Sequence, residues 1–460
     1  MTPSPVFDAD LIRRYDVPGP RYTSYPTAPH FHTRFDENNF RIQAEISNTS
    51  RRDLSLYLHL PYCTAPCFYC GCLRLITRDR KKIDAYLDYL LREMDMIGPL
   101  FARERRLTQL HLGGGTPNLL DAAQLQRLFD AIHRNFHVNT GAEREFGIEV
   151  DPRTTTPDAV RAMAKLGFNR ISLGVQDFDR NVQEAINRVQ SVEETRDVIA
   201  AARESGFRSV NCDLIYGLPR QHPDSFARTL QTVIELRPDR IAAYSYAHLP
   251  HLFKAQRQIA AADLPSAATK LSLLGMTVDA LGSAGYHYIG MDHFAKPTDE
   301  LAIAQKNHTL YRNFQGYSTH ADSDLIALGL SAISQVGNSY GQNAKDLDAY
   351  RLAIDSGRLP IVRGYELTHD DRLHRDVIGR LMCDAQLDMN GFAHEHGIAF
   401  RTYFAAALQR LDPLIDDGLV TVDARHIRIT PQGRLLMRVV AMCFDAYLTA
   451  DAAVRHSRAI

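Results

Sequence analysis

Four of the seven cysteines in this 460-residue chain, Cys63, Cys67, Cys70 and Cys72, fall within ten positions in PYCTAPCFYCGC, while Cys212, Cys383 and Cys443 are scattered. In a reducing compartment such crowding points to a metal site rather than to disulfides, and the scattered three read as buried, inert core residues. The spacing Cys63-x3-Cys67-x2-Cys70 supplies three corners of a cubic 4Fe–4S cluster and leaves the fourth iron without a protein ligand. A small molecule offering an amine and a carboxylate can chelate that iron, be reduced by the cluster and be cleaved into a radical. The competing arrangement is a four-thiolate zinc site that also uses Cys72. Zinc ligands usually come as two separated pairs, and Cys70-x-Cys72 is tight for that purpose, so the spacing favours the cluster.

Further polar residues fall where apolar runs end. Gly113-Gly114-Gly115-Thr116-Pro117 closes the run LTQLHL, and its missing side chains let backbone amides approach a ligand. Glu149 ends EFGIEV, Gln176 follows RISLGV, Asp213 lies within SVNCDLI, and RIAAYSY runs into Ala247. Glu149 and Asp213 can accept hydrogen bonds from an ammonium or a ribose hydroxyl. Each can equally be a strand-end residue that satisfies a loop amide. Arg188, in NVQEAINRVQ, can pair with a carboxylate or simply be solvated.

Something must hold these residues together. From residue 54 onward short apolar runs alternate with longer amphipathic ones, the pattern of repeated strand–helix units. Six strands are predicted, at 54 to 60, 107 to 112, 145 to 150, 170 to 175, 209 to 215 and 240 to 246. Helices are predicted between them, at 81 to 97 and 191 to 206 for example, the second opening on the capping-box pair Ser191 and Glu194. Parallel strands with right-handed crossovers curl into a barrel, here an incomplete one of six units. The fold expected is α/β, an incomplete six-unit barrel with a smaller, mainly helical C-terminal domain. NFQGYSTHADSDL reads as a long functional loop near the barrel mouth. The expected domains are a capping segment at 1 to 50, a catalytic domain at 51 to 364 and the C-terminal domain at 365 to 460.

Within that last part, 416 to 436 outlines the wing of a winged helix. The surrounding segment 401 to 440 carries several arginines but also Asp412, Asp416, Asp417 and Asp423, which disfavours nucleic-acid binding. The whole chain agrees: 53 Lys and Arg against 54 Asp and Glu give a formal charge of -1, with no field to draw it to nucleic acid or to an anionic membrane. At 45% hydrophobic and 23% charged, with no signal-like or membrane-spanning stretch, the composition is that of an ordinary globular protein, expected in the cytoplasm and as a monomer.

Cys63-x3-Cys67-Phe68-Tyr69-Cys70 followed by GGGTP resembles the radical S-adenosylmethionine superfamily. RYTSYPTA (21 to 28), CFYCGC (67 to 72), GVQDF (174 to 178), DLIYGLP (213 to 219), YAHLP (246 to 250), GMDHFA (290 to 295), NFQGY (313 to 317) and MCFDAYL (442 to 448) extend the likeness over nearly the full length. Together they resemble the oxygen-independent coproporphyrinogen III oxidase family. The resemblance implies Cys63, Cys67 and Cys70 as cluster ligands and two S-adenosylmethionine molecules. For the first it implies contacts from Tyr57, Gly114, Glu149 and Ile333. For the second it implies Tyr69, Gly115, Thr116, Gln176, Arg188, Asp213 and Ala247. Position 69 is Tyr where one well-known member of the family has Phe, which matters little if the contact is through the backbone.

The implied reaction converts two propionates of coproporphyrinogen III to vinyl groups, giving protoporphyrinogen IX in haem synthesis. A 5′-deoxyadenosyl radical removes hydrogen from the propionate carbon next to the ring, carbon dioxide leaves, and an external acceptor takes the remaining electron. An external donor reduces the cluster. Such a radical needs a dry cavity, and four substrate carboxylates call for basic residues at its mouth, Arg21 among the candidates. A haem-binding chaperone of the same superfamily is the alternative, but those relatives lack a cysteine at the position of Cys72 and lack RYTSYPT. Cys72 is therefore assigned to the reaction rather than to the cluster. A zinc-dependent nucleic-acid-binding protein is the rival from another class.

Overall fold

The computed structural model describes residues 4–321 and 323–448. Strands β1 (Leu54–Leu60), β2 (Arg106–Gly114), β3 (Glu145–Val150), β4 (Arg170–Gln176), β5 (Ser209–Tyr216) and β6 (Arg240–Ser245) pair in that order, all parallel. The helices Arg80–Ile97, Ala122–Asn135, Pro157–Leu166, Val192–Glu204 and Pro223–Leu236 make the crossovers. Each has an apolar stripe to bury. Ile83, Leu87, Leu90, Met94 and Ile97 of the first line up at helical spacing and lie in the main core beside Leu54, Leu56 and Leu58 of β1. Full burial of side chains of this kind is worth about 1.5–3 kcal/mol each. The capping box is present as expected: Ser191 Oγ accepts from the Glu194 amide at 3.1 Å, and Glu194 returns a contact to the Ser191 amide at 2.7 Å.

Strand alternation turns the other set of side chains into the barrel. Register places Tyr57 beside His111, His111 beside Gly147, Glu149 beside Ser172, and Gly174 beside Asp213. The barrel interior is thus polar along its central strands, and the apolar face is covered by helices.

The sheet does not stop at six strands. Beyond β6, β8 (His293–Ala295) pairs antiparallel and is followed by β7 (His287–Gly290) at the edge. On the other side β9 (Asp324–Leu328) pairs parallel with β1, and β10 (Ile333–Val336), β11 (Ser339–Asn343) and β12 (Ile361–Glu366) continue antiparallel. NFQGYSTHADSDL, expected as a long loop, begins at the turn of a hairpin that pairs Tyr311–Asn313 with Gly316–Ser318 and ends in the start of β9. Asn313 and Gly316 bound the hairpin turn, where Asn313 Oδ1 accepts from the Gln315 amide at 2.9 Å. Asp324 starts β9 with its carboxylate buried against Arg105 and accepting from the Gly337 amide at 2.9 Å.

A second core lies in the C-terminal part, around the helix His369–Asp384 and a small sheet of Gln386–Asp388, Val420–Val422 and His426–Ile429. The hairpin expected as a wing is present, and its arginines are engaged by carboxylates: Arg425 pairs with Asp388 at 2.7 Å and Arg428 with Asp423 at 2.5 Å. The N-terminal segment joins the two cores. Tyr22 and Tyr25 lie in the C-terminal core, while Phe35, Phe40 and Ala44 lie in the barrel core. Arg21, a candidate for the mouth, forms an ion pair with Asp292. No helix among the described residues is long and apolar enough to cross a membrane.

Candidate active site

The carboxyl ends of β1 to β5 surround a cavity of about 250 Å³, lined in part by Cys63, Cys67, Cys70 and Cys72. The cysteine loop leaves β1 and is pinned on both sides. The Phe68 amide donates to Ile186 O at 2.9 Å and Asn187 Nδ2 to Pro66 O at 2.7 Å, which ties the loop to the segment carrying Arg188. Arg74 donates to the carbonyls of Cys67 and Cys70 at 3.0 and 3.1 Å.

Hydrogen-bond donors are aimed at the sulfurs. Thr116 Oγ1 lies 3.3 Å from Cys63 Sγ, the Cys72 amide 3.4 Å from Cys70 Sγ, and Arg188 Nη1 3.5 Å from Cys67 Sγ. Such donors stabilise thiolate rather than thiol. Hydrogen bonding with Cys72 is the main influence holding the Cys70 thiol below its ordinary range, with the charge of Arg74 adding to it. Arg188 is buried and shares Asp151 with Arg153, at 3.0 and 2.6 Å. Its other terminal nitrogen donates to Gly174 O at 2.6 Å.

Spacing separates the two metal readings. A tetrahedral zinc with Zn–S near 2.3 Å draws its sulfurs to about 4 Å of one another. Among the described residues no three cysteine sulfurs lie within 4.8 Å of each other. The cysteine sulfurs are therefore not gathered as a single tetrahedral ion would gather them. The one trio that meets the distance, Asp376, Glu395 and His396, is already filled by Arg380, at 2.8 Å from Asp376 and 2.6 Å from Glu395.

Most of the residues expected from the sequence meet on this cavity. Gly114, Gly115 and Thr116 form one wall, with Tyr69, Glu149, Gln176, Arg188 and Asp213 around it. Gly114 has φ +116°, open to glycine, and a Cβ on Gly115 would stand 2.7 Å from Tyr62 O, so the wall exists only because these positions lack side chains. Gln176 ends β4 in the left-handed region, at φ +66°, beside a bulge that turns it toward the cavity.

Burial pushes the Asp213 carboxyl up to about 6, helped by the nearby charge of Glu149 and opposed by hydrogen bonds from Asn211 (2.8 Å) and Ser172 (3.2 Å). Burial acts the same way on Glu149, but the hydrogen bonds from His111 (3.2 Å) and the Gly114 amide (3.3 Å) outweigh it and hold that carboxyl below its ordinary value. The pair can therefore present one anion and one titrating acid within the same wall.

Three expected residues lie off this lining. Tyr57 stands behind it, its hydroxyl 3.2 Å from His59 Nδ1. Ala247 is exposed just beyond β6, and its carbonyl and that of Tyr69 both accept from Gln256 Nε2, at 3.2 and 2.9 Å. Ile333 starts β10 and packs against the cluster of Phe31 and Tyr340. Asp151 and Arg153, which line the cavity, were missed from the sequence. Their signal was a charged pair one turn past Glu149, in EVDPR. A second cavity of about 150 Å³ adjoins the first inside the barrel, sharing Glu149, Ser172, Asp213 and Tyr244 with it.

Known proteins share this sequence and fold. Residues 57–233 match the model of the Radical SAM superfamily, and residues 367–436 that of the HemN C-terminal domain. The chain is 48% identical over 454 residues to the oxygen-independent coproporphyrinogen III oxidase of Pseudomonas aeruginosa, covering 99% of each chain. It is 48% identical over 446 residues to the protein of the same name from Escherichia coli K12, covering 97% and 96%. With the Helicobacter pylori protein of that name it shares 39% over 444 residues. The solved coproporphyrinogen III oxidase (HemN) of Escherichia coli, described as a radical SAM enzyme, superposes with a TM-score of 0.92 at 47% identity, covering 97% of this chain and 100% of that one. The chain belongs to the oxygen-independent coproporphyrinogen III oxidase family of the radical SAM superfamily.

Proposed function

We propose that this enzyme decarboxylates two propionate side chains of coproporphyrinogen III oxidatively, without oxygen, to give protoporphyrinogen IX in haem synthesis. The observation that carries the reading is the gathering of three cysteines with Glu149, Gln176, Arg188 and Asp213 on one cavity, in a chain that matches this family over its whole length. When bound, a reduced 4Fe–4S cluster and S-adenosylmethionine supply a radical able to take a hydrogen atom from the substrate.

The protein's own part is to bind, orient and exclude water. Cys63, Cys67 and Cys70 hold the cluster, and the donors from Thr116, Arg188 and the Cys72 amide stabilise their charge. Tyr57, Gly114, Glu149 and Ile333 hold the first S-adenosylmethionine. Tyr69, Gly115, Thr116, Gln176, Arg188, Asp213 and Ala247 hold the second. Glu149, kept ionised by its hydrogen bonds, suits a cationic amine. Cys72, exposed at the cavity, serves the reaction rather than the cluster.

The protein acts in the cytoplasm as a monomer with an external electron donor and acceptor, and without nucleic acid or membrane. The capping segment spans 1 to 50, the catalytic domain 51 to 364 and the C-terminal domain 365 to 460; two separate apolar cores support the division between the last two. An anaerobic assay with cluster-replete protein, reductant, S-adenosylmethionine, an electron acceptor and coproporphyrinogen III tests the reading. Protoporphyrinogen is the product expected, and its absence overturns the proposal.

A further inference from the structure

His111 stands between two residues assigned to the first S-adenosylmethionine without lining that molecule's cavity. Its Nε2 lies 3.2 Å from Glu149 Oε1, and its ring stacks on Tyr57 with centroids 6.0 Å apart and planes within 11°. The other oxygen of Glu149 accepts from the Gly114 amide at 3.3 Å. The carboxylate is thus held at both oxygens, by one backbone amide and one imidazole. Without the imidazole, a single 3.3 Å amide contact would leave it free to rotate.

The sequence clears space for this arrangement at two separate strands. A Cβ on Gly147, the register neighbour of His111 on β3, would lie 2.9 Å from His111 Nδ1. A Cβ on Gly113 would lie 2.9 Å from Glu149 Oε1 and 3.1 Å from the Tyr57 ring. Glycine at both positions leaves a slot that Tyr57, His111 and Glu149 fill side by side. His111 itself faces the second cavity, so it reaches the first only through its two neighbours.

We infer that His111 is a positioning residue: it donates from Nε2 to Glu149 and fixes that carboxylate for the ammonium group of the first S-adenosylmethionine. The inference rests on the assignment of Glu149 to that molecule. It predicts that losing the imidazole weakens S-adenosylmethionine binding while leaving the thiolates and the cluster untouched, because His111 contacts none of them. A pair of fixed donors is worth more than one because less freedom is lost when the ligand arrives.

The test compares His111→Leu, His111→Gln and Glu149→Gln in anaerobically reconstituted protein, reading the dissociation constant of S-adenosylmethionine, iron and sulfide content, and KM against kcat. His111→Leu is expected to weaken binding about tenfold or more, with iron content unchanged and kcat at saturation within about threefold. His111→Gln, whose amide nitrogen can stand near the lost Nε2, is expected to recover most of the affinity. In the Glu149→Gln background His111→Leu should add less than about twofold, the coupling expected of residues that act as a unit. Unchanged affinity in a folded, cluster-replete His111→Leu overturns the inference, as does full additivity with Glu149→Gln. If the parent protein binds S-adenosylmethionine but makes no protoporphyrinogen, the substrate reading fails while this inference stands. If the parent binds none, both fail.

Discussion

The four clustered cysteines have different neighbours. Cys63, Cys67 and Cys70 each have a donor aimed at sulfur, from Thr116, Arg188 and the Cys72 amide, whereas Cys72 is the exposed member. Serine at Cys67 is accordingly expected to lose most bound iron and the brown colour, while Cys72→Ser retains both and loses turnover; iron and sulfide analysis beside the anaerobic assay checks the pair. Loss of iron in Cys72→Ser would make it a ligand. The cysteines of this wall were legible in advance from their spacing, whereas Glu149, Gln176 and Asp213 each had an equal reading as strand-end residues until the family resemblance singled them out. His111 was not legible. A single histidine inside an apolar run is most often a satisfied core residue, and only the register that sets it beside Tyr57 and Gly147 gives it a role.

Among the secondary-structure elements, the six parallel strands were readable within a residue or two at their ends, since each packs an apolar face under helices and so is written as a short apolar-rich run between helical patterns. β10 and β11, ISQV and SYGQN, are not, although β11 is buried throughout. Two of its polar side chains, Tyr340 and Asn343, are satisfied by partners more than 200 residues away, which no local pattern records. One such partner is Glu93 on the helix Arg80–Ile97. It accepts from the Gly329 amide at 2.8 Å, Asn343 Nδ2 at 2.6 Å and Tyr350 Oη at 2.6 Å, tying that helix to the far side of the sheet.

Burial pushes the Glu93 carboxyl up to about 7, against the pull of those three hydrogen bonds. Between its unfolded value of about 4.5 and about 7, the native state holds a proton that the unfolded chain has released. Stability from this group is therefore fully present below about pH 4.5 and declines as pH rises to about 7, by a few kcal/mol in order of magnitude. Glu93→Gln should flatten that part of the profile. Urea denaturation of both proteins at about pH 5.5 and pH 8 measures the difference, and parallel profiles would show that Glu93 does not titrate in this range.

Across the whole molecule, the N-terminal segment is the strap between two cores. Tyr22 donates to Asp445 at 2.9 Å, the Ala446 amide donates to Tyr25 Oη at 2.9 Å, and the chain then runs on to place Phe35 and Phe40 in the barrel core. RYTSYPT read as a family signature in the sequence, but its mechanical role was invisible there because Asp445 and Ala446, the partners of Tyr22 and Tyr25 in the C-terminal part, lie more than 400 residues away. Tyr22→Ala removes a buried ring and a hydrogen bond, a loss on the order of 3–5 kcal/mol. It should lower the melting temperature of the C-terminal unit and leave that of the barrel nearly unchanged. Calorimetry showing a uniform shift would mean that the two cores unfold together.

Strand β1 has β2 on one side and β9 on the other, and β9 begins only at Asp324. During synthesis one edge of the future central strand must wait while some 260 further residues emerge, roughly 13 to 50 s at about 5–20 residues per second on the ribosome. For that interval an apolar edge is open to pairing with other nascent chains. The same growing chain carries the cysteine loop immediately after β1, so the metal site is exposed to the cell well before the sheet that shelters it is complete.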